Sequence, residues 1–260
     1  MPHELSPTSP PLDTVSAPPA LPARTPGLLE TVLTILAYFA LQAGFGGAFG
    51  ATSQFIARMF PDAVPDQPDR LILVVILTLI CAAAVVVTWI VRRWSAKTLD
   101  GGAGGLGFTP PPGRYIALGT ALGILAPVLG GLLTQFLAGG HDVSQTVTDI
   151  ADRAHVGMRV ALLPAVVLIG PLVEEVLFRG ALLSVLRTRL GDGWAIAVSA
   201  IVFGAVHLPD LDWLWYAVPN LILVGVFCAW LRVRSGSIWP GFVAHAANNA
   251  LATASWFMAT

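Results

Sequence analysis

"LILVVILTLICAAAVVVTWIV", residues 71–91, decides the fold class of this chain, because it runs without one charged side chain. A helix that crosses a bilayer needs about 20 apolar residues. In hydrocarbon the backbone must satisfy its own N–H and C=O groups, which only helices and closed barrels achieve. Runs of the same kind recur along the chain at 28–50, 115–138, 159–186, 194–208, 213–231 and 237–258. Of the 260 residues 55% are hydrophobic and 11% charged, against about 25% charged in a soluble domain. The sequence therefore reads as an all-α, polytopic membrane bundle of about seven transmembrane helices.

The spans differ in quality. The fourth, 159–186, contains Pro164, Gly170 and Pro171, so a kink is expected just before the acidic pair it carries. The fifth is short and runs into "LPDLDW" (208–213). Residues 1–26 hold eight prolines and no apolar period, and read as a disordered cytoplasmic tail ahead of a transmembrane domain at 27–260. "DGGAGGLGFTPPPG", 100–113, reads as a flexible cytoplasmic linker. Val143, Val147, Ile150, Ala151 and Ala154 fall at helical spacing, so 143–155 reads as a short helix on the outer surface or as an ordinary polar loop. Cys81 and Cys228 both lie in apolar runs and read as packing residues.

Seven spans give a testable orientation. The side holding the N-terminus and the loops after spans 2, 4 and 6 carries Arg24, Arg92, Arg93, Lys97, Arg114, Arg187, Arg189, Arg232 and Arg234. The other side carries Arg58, Arg70, Arg153 and Arg159. Positive residues accumulate on the cytoplasmic side, which places the N-terminus there, with the trans loops rich in Asp. Trp94, Tyr115, Trp194 and Trp239 are expected at the inner interface, and Trp213, Trp215 and Trp256 at the outer one. The net charge of −1 offers nothing to nucleic acid.

Against this background a few polar residues stand out. A charge at the bilayer centre costs at least about 2.5–3.5 kcal/mol, yet "PLVEEVLFRG" (171–180) holds Glu174, Glu175 and Arg179. His207 lies deep in "FGAVH" (203–207), and His245, Asn248 and Asn249 in "HAANN" (245–249). Glu175 and Arg179 are four apart and share a helix face, so they can pair. Glu174 is rotated about 100° from Glu175 and needs another partner. Phe203 and His207 share a face, as do His245 and Asn249. At about 1.5 Å per residue, Glu174, His207, His245 and Asn249 all fall roughly 12–20 Å into a core about 30 Å thick. Helices 4, 5 and 7 thus bring an acid, two imidazoles and an amide to one level. A wet pocket there would suit activation of water by Glu174 as general base. Glu174, His207 and His245 could also hold zinc, leaving a position for water. In a metal-free version Glu174 and His207 orient the water, and His245 and Asn249 stabilise an oxyanion.

These residues resemble a known family. "EEVLFR" (174–179), "FGAVH" and "HAANN" are similar, in order, to the EExxxR, FxxxH and HxxxN motifs of the CAAX prenyl protease type II and bacteriocin-processing (CPBP) intramembrane proteases. The resemblance covers about 160–258. It implies a helical bundle around a water-accessible cavity and cleavage of a peptide bond in a prenylated or other membrane-associated protein or peptide. It implies catalytic roles for Glu174, His207, His245 and Asn249, support from Glu175, Arg179 and Phe203, and zinc as a possible cofactor. The setting expected is a bacterial cytoplasmic membrane. Two other classes compete: a non-catalytic membrane scaffold or immunity protein, and a proton-coupled transporter, against which the lack of an internal repeat counts.

Overall fold

The helices follow the apolar runs. The structure, a computed structural model, describes residues 26–94, 105–141 and 146–258. The expected tail lies outside these residues except for Pro26, as do 100–104 of the expected linker. The long helices are α1 (Leu28–Met59), α2 (Gln67–Arg93) and α3 (Gly113–Ala138), followed by a short α4 (Thr146–Arg153). Then comes one helical run, Val156–Ala205, built of α5 (Val156–Leu163), α6 (Gly170–Glu174) and α7 (Leu183–Ala205), with wider turns between them. α8 (Val218–Ser235) and α9 (Trp239–Thr253) complete the described bundle. This is an integral membrane protein: five stretches are long and apolar enough to cross a bilayer, and no described residue lies in a strand.

Six of the seven apolar runs fall in the five spans, and the seventh is α9, which is too short to be one of them. Runs four and five lie within Val156–Ala205, which Gly191 breaks at φ 73° and ψ 172°. Only glycine adopts that backbone without strain, and there the chain reverses between the acidic pair and His207. α9 is 15 residues long and is extended by a tighter turn at Ala254–Phe257.

The expected kink before the acidic pair takes the form of π-helical turns. Pro164 and Pro171 have no N–H to offer the ladder. The helix widens over Pro164–Ile169, so that Gly170 N–H reaches Ala165 O five residues back. It widens again over Glu175–Leu182, where Leu183 N–H reaches Phe178 O. Such turns occur often at functional sites, and the second one carries Glu175 and Arg179.

Helix association in lipid relies on close packing of small residues, since lipid tails are as apolar as the helices. Gly119 and Gly123 on α3 do this against α9: a Cβ on either would overlap the backbone of Pro240 or Ala244. Gly225 on α8 lies against Ala200 of α7 in the same way. Gly241 of α9 lies against Cys228 of α8, so α3 and α8 together clamp α9, which carries His245.

The linker expectation is corrected where it can be seen. Leu106 is fully buried, and Gly105 O accepts hydrogen bonds from Ser184 Oγ (3.0 Å) and Arg232 Nη2 (2.8 Å). Ile238 N–H donates to Gly107 O at 2.9 Å. The segment is a plug under the motif helix, because buried donors on α7, α8 and α9 need its carbonyls. Trp94 and Trp256, expected at the interfaces, are also buried, at 4% and 1% exposure. Of the two readings of 143–155 the helix is the one found, as α4, and its Ala151 packs with Ile72, Leu162 and Trp256.

Candidate active site

Glu174 closes α6, His207 follows α7, and His245 lies mid-way along α9. The fold brings them together. Glu174 Oε1 lies 3.9 Å from His207 Nε2, and its Oε2 lies 3.7 Å from His245 Nε2. Both separations are too long for a direct hydrogen bond and suit a bridging atom. The side chains of Glu174 and His207 keep 15% and 16% exposure, so the centre is buried without being sealed.

Each imidazole is oriented from behind. His207 Nδ1 lies 2.7 Å from Phe203 O. A carbonyl only accepts, so Nδ1 carries the proton and Nε2 faces Glu174. His245 Nδ1 donates to Glu175 Oε1 at 3.3 Å, which again turns Nε2 towards Glu174. Glu175 is fully buried and pairs through the same oxygen with Arg179 Nη1 at 3.1 Å. Arg179, also fully buried, donates to Gly225 O at 3.2 Å and lies 4.3 Å over the ring of Phe203. Phe203 in turn touches both imidazoles, with ring centroids 4.8 Å from His207 and 5.5 Å from His245.

The two glutamates therefore serve one histidine from opposite nitrogens. The Glu175–Arg179 pair is visible in the i, i+4 spacing, but the link to His245 is not, because it joins two elements and starts from a widened turn. With neutral imidazoles the two carboxylates and one guanidinium leave one net negative charge at the centre.

Asn249 is placed differently from the three. Its Nδ2 donates to Val166 O at 2.9 Å, in the first π turn, and its Oδ1 accepts from Asn248 Nδ2 at 3.1 Å. It ties α9 to the widened helix, and Val166 O is a carbonyl of that widened turn. α1, which carries none of the motifs, also reaches the site. Phe39 lies edge-on to His207 with centroids 6.0 Å apart.

Two imidazoles and a carboxylate are zinc-ligand types. Edges of a tetrahedral zinc shell measure about 3.3 Å at ordinary bond lengths, somewhat shorter than the 3.7 and 3.9 Å found here. Among the described residues no three His, Cys, Asp or Glu side chains converge as a ready-made ion site.

The bundle and this centre define a membrane protein with a carboxylate–imidazole site inside its helices. Residues 156–251 match the family model of the Rce1-like proteins, described as "Type II CAAX prenyl endopeptidase Rce1-like", which supports the CPBP resemblance of the motifs. The matched family is one of intramembrane CAAX-type endopeptidases, and the match takes in all three motifs. No curated protein and no solved structure is significantly similar to it.

Proposed function

We propose that this protein hydrolyses a peptide bond of a membrane-associated protein or peptide with water activated by Glu174. The observation that carries this is the Glu174 carboxylate facing Nε2 of both His207 and His245 at 3.9 and 3.7 Å. A water hydrogen-bonded at about 2.8 Å to two acceptors, one through each O–H, holds them roughly 4.4 Å apart when its bonds are linear. The Oε1–Nε2 gap is close to that span. Such a water offers one proton to Glu174 and the other to His207 Nε2.

As the water oxygen adds to the substrate carbonyl, Glu174 takes its proton. The carbonyl becomes an oxyanion, towards which His245 is turned. Glu175 holds Nδ1 of His245, so Nε2 is the nitrogen left to face the oxyanion, to which it donates when it carries a proton. Asn249 has a second amide N–H for the same task. Collapse of the intermediate breaks the C–N bond, and Glu174 returns its proton to the leaving amine. The alternative is zinc held by Glu174, His207 and His245; in that case a Lewis acid would supply the activation, and the donor types at the site favour testing it.

The substrate is a prenylated or otherwise lipid-held chain, because only such a chain is delivered to a centre at this depth. The setting proposed is a bacterial cytoplasmic membrane with the N-terminus inside. The test uses protein purified in detergent with quenched-fluorescent peptides, farnesylated and unprenylated. Glu174→Gln and His207→Ala should each abolish cleavage while melting as the wild type does. Full activity in both variants would overturn the mechanism. In cells, complementation by Glu174→Gln would favour a scaffold or immunity role instead.

A further inference from the structure

α1 lies outside the segment that matches the family, yet its Phe39 ring reaches the centre and Tyr38 packs beside that ring. Phe39 meets His207, and Tyr38 beside it, at 5.3 Å between ring centroids, is fully buried. Tyr38 shares a buried cluster with Val173, Leu177 and Phe203, the neighbours of Glu174 and His207. Its phenol oxygen has no hydrogen-bond partner and lies within electrostatic reach of the Glu174 carboxylate.

A buried tyrosine O–H usually finds a partner, since leaving it unmade forfeits its hydration with no return. Here the donor is left unbonded in the buried cluster that holds the neighbours of the general base. That arrangement suits an oxygen present only during the reaction.

We propose that Tyr38 is a further catalytic residue, whose O–H donates to the oxyanion formed when water adds to the substrate carbonyl. The phenol keeps its proton throughout, so the proton transfers assigned to Glu174 are unchanged. The idea rests on the endopeptidase reading above.

The test is Tyr38→Phe, which keeps the ring and removes the donor. With the same peptides, kcat should fall about 100-fold, as for loss of one oxyanion donor, while KM stays within about twofold. A phosphinic peptide that mimics the tetrahedral intermediate should bind about 100-fold more weakly, and an uncleaved substrate peptide equally well. The melting temperature should hold or rise, because an unpartnered hydroxyl has been removed. If Tyr38 only packs, the variant melts higher and cleaves at the wild-type rate, and the proposal falls while the endopeptidase reading stands. A lower melting temperature would show that the hydroxyl has a structural partner, and would also overturn it. If the wild-type protein cleaves none of the peptides and does not bind the phosphinic mimic, the endopeptidase reading fails and takes this one with it.

Discussion

Arg179→Met separates the two tasks of the buried ion pair. In the wild type Arg179 and Glu175 are both fully buried, 3.1 Å apart, and Glu175 holds His245 Nδ1 at 3.3 Å. Removing the guanidinium strands a carboxylate in the bundle, and breaking a buried pair costs about 3–5 kcal/mol. At about 2–4 °C per kcal/mol for a chain of this size, the melting temperature should drop by about 6–20 °C. Replacing both residues, as Glu175→Leu with Arg179→Met, removes the stranded charge and should restore most of that loss, since apolar pairs of similar volume often match a buried ion pair. Activity should not return with it. His245 would have lost the acceptor that fixes its tautomer, and losing such a support typically costs about 10–100-fold. The assay is thermal unfolding in detergent beside peptide cleavage for the wild type, both single variants and the double. A double variant as unstable as Arg179→Met, or one fully active, would refute the argument that the pair is dispensable for stability and needed for orientation.

Other outcomes follow from the same contacts. Gly123→Leu should push α9 off α3, because even a Cβ there overlaps Ala244; overpacking of about 1–3 kcal/mol is expected, with loss of activity, read by melting and cleavage together. Asn249→Ala should leave Val166 O without its 2.9 Å donor and destabilise by about 1 kcal/mol; it should also slow cleavage, whereas an unchanged melting temperature would show that the bond to the π turn contributes nothing. If the metal-free mechanism holds, purified protein should carry less than one equivalent of zinc and keep its activity after chelation, and loss of activity restored by zinc would favour the metal version.

Much of this was legible in the sequence. Charge-free runs can only be lipid-facing or core helices, so the fold class follows from them. The convergence of Glu174, His207 and His245 follows from counting residues inward from the basic and aromatic ends. What could not be read has a common cause: it depends on groups that lack a periodic signature. "GGLGFTPPPG" looks like a linker because Gly and Pro are open to many conformations. Its docking is set by Arg232 and Ser184, buried donors that need the Gly105 carbonyl. Arg232, counted among the cytoplasmic surface charges, is 1% exposed for that reason. Glu175 meets His245 across elements, on a turn whose width departs from the regular helix used for the count. The Gly119–Gly123 pair does carry a signal, small residues four apart in an apolar helix, but nothing in the chain alone says which helix it faces.

The same reasoning explains why the contribution of α1 has to come from the structure. The motif residues are polar, and polarity in hydrocarbon announces itself. Tyr38 and Phe39 are aromatic, and in an apolar helix they read as packing. Their place depends on how α1 sits against the rest, and the polar ties there are slight: Glu30 with Arg93 at 2.9 Å and Trp89 Nε1 with Thr34 Oγ1 at 3.3 Å. A partly exposed pair of that kind contributes about 0–1 kcal/mol. The register of α1 is therefore set mainly by Ile35 and Tyr38 packing in the cluster that includes Ala82, Val86 and Ile90 of α2. One helical turn of slip, about 5.4 Å, would displace the Tyr38 hydroxyl and the Phe39 ring from the centre by that amount while leaving every motif residue in place. The chemistry assigned to the motif then depends on packing between two helices that contain none of it.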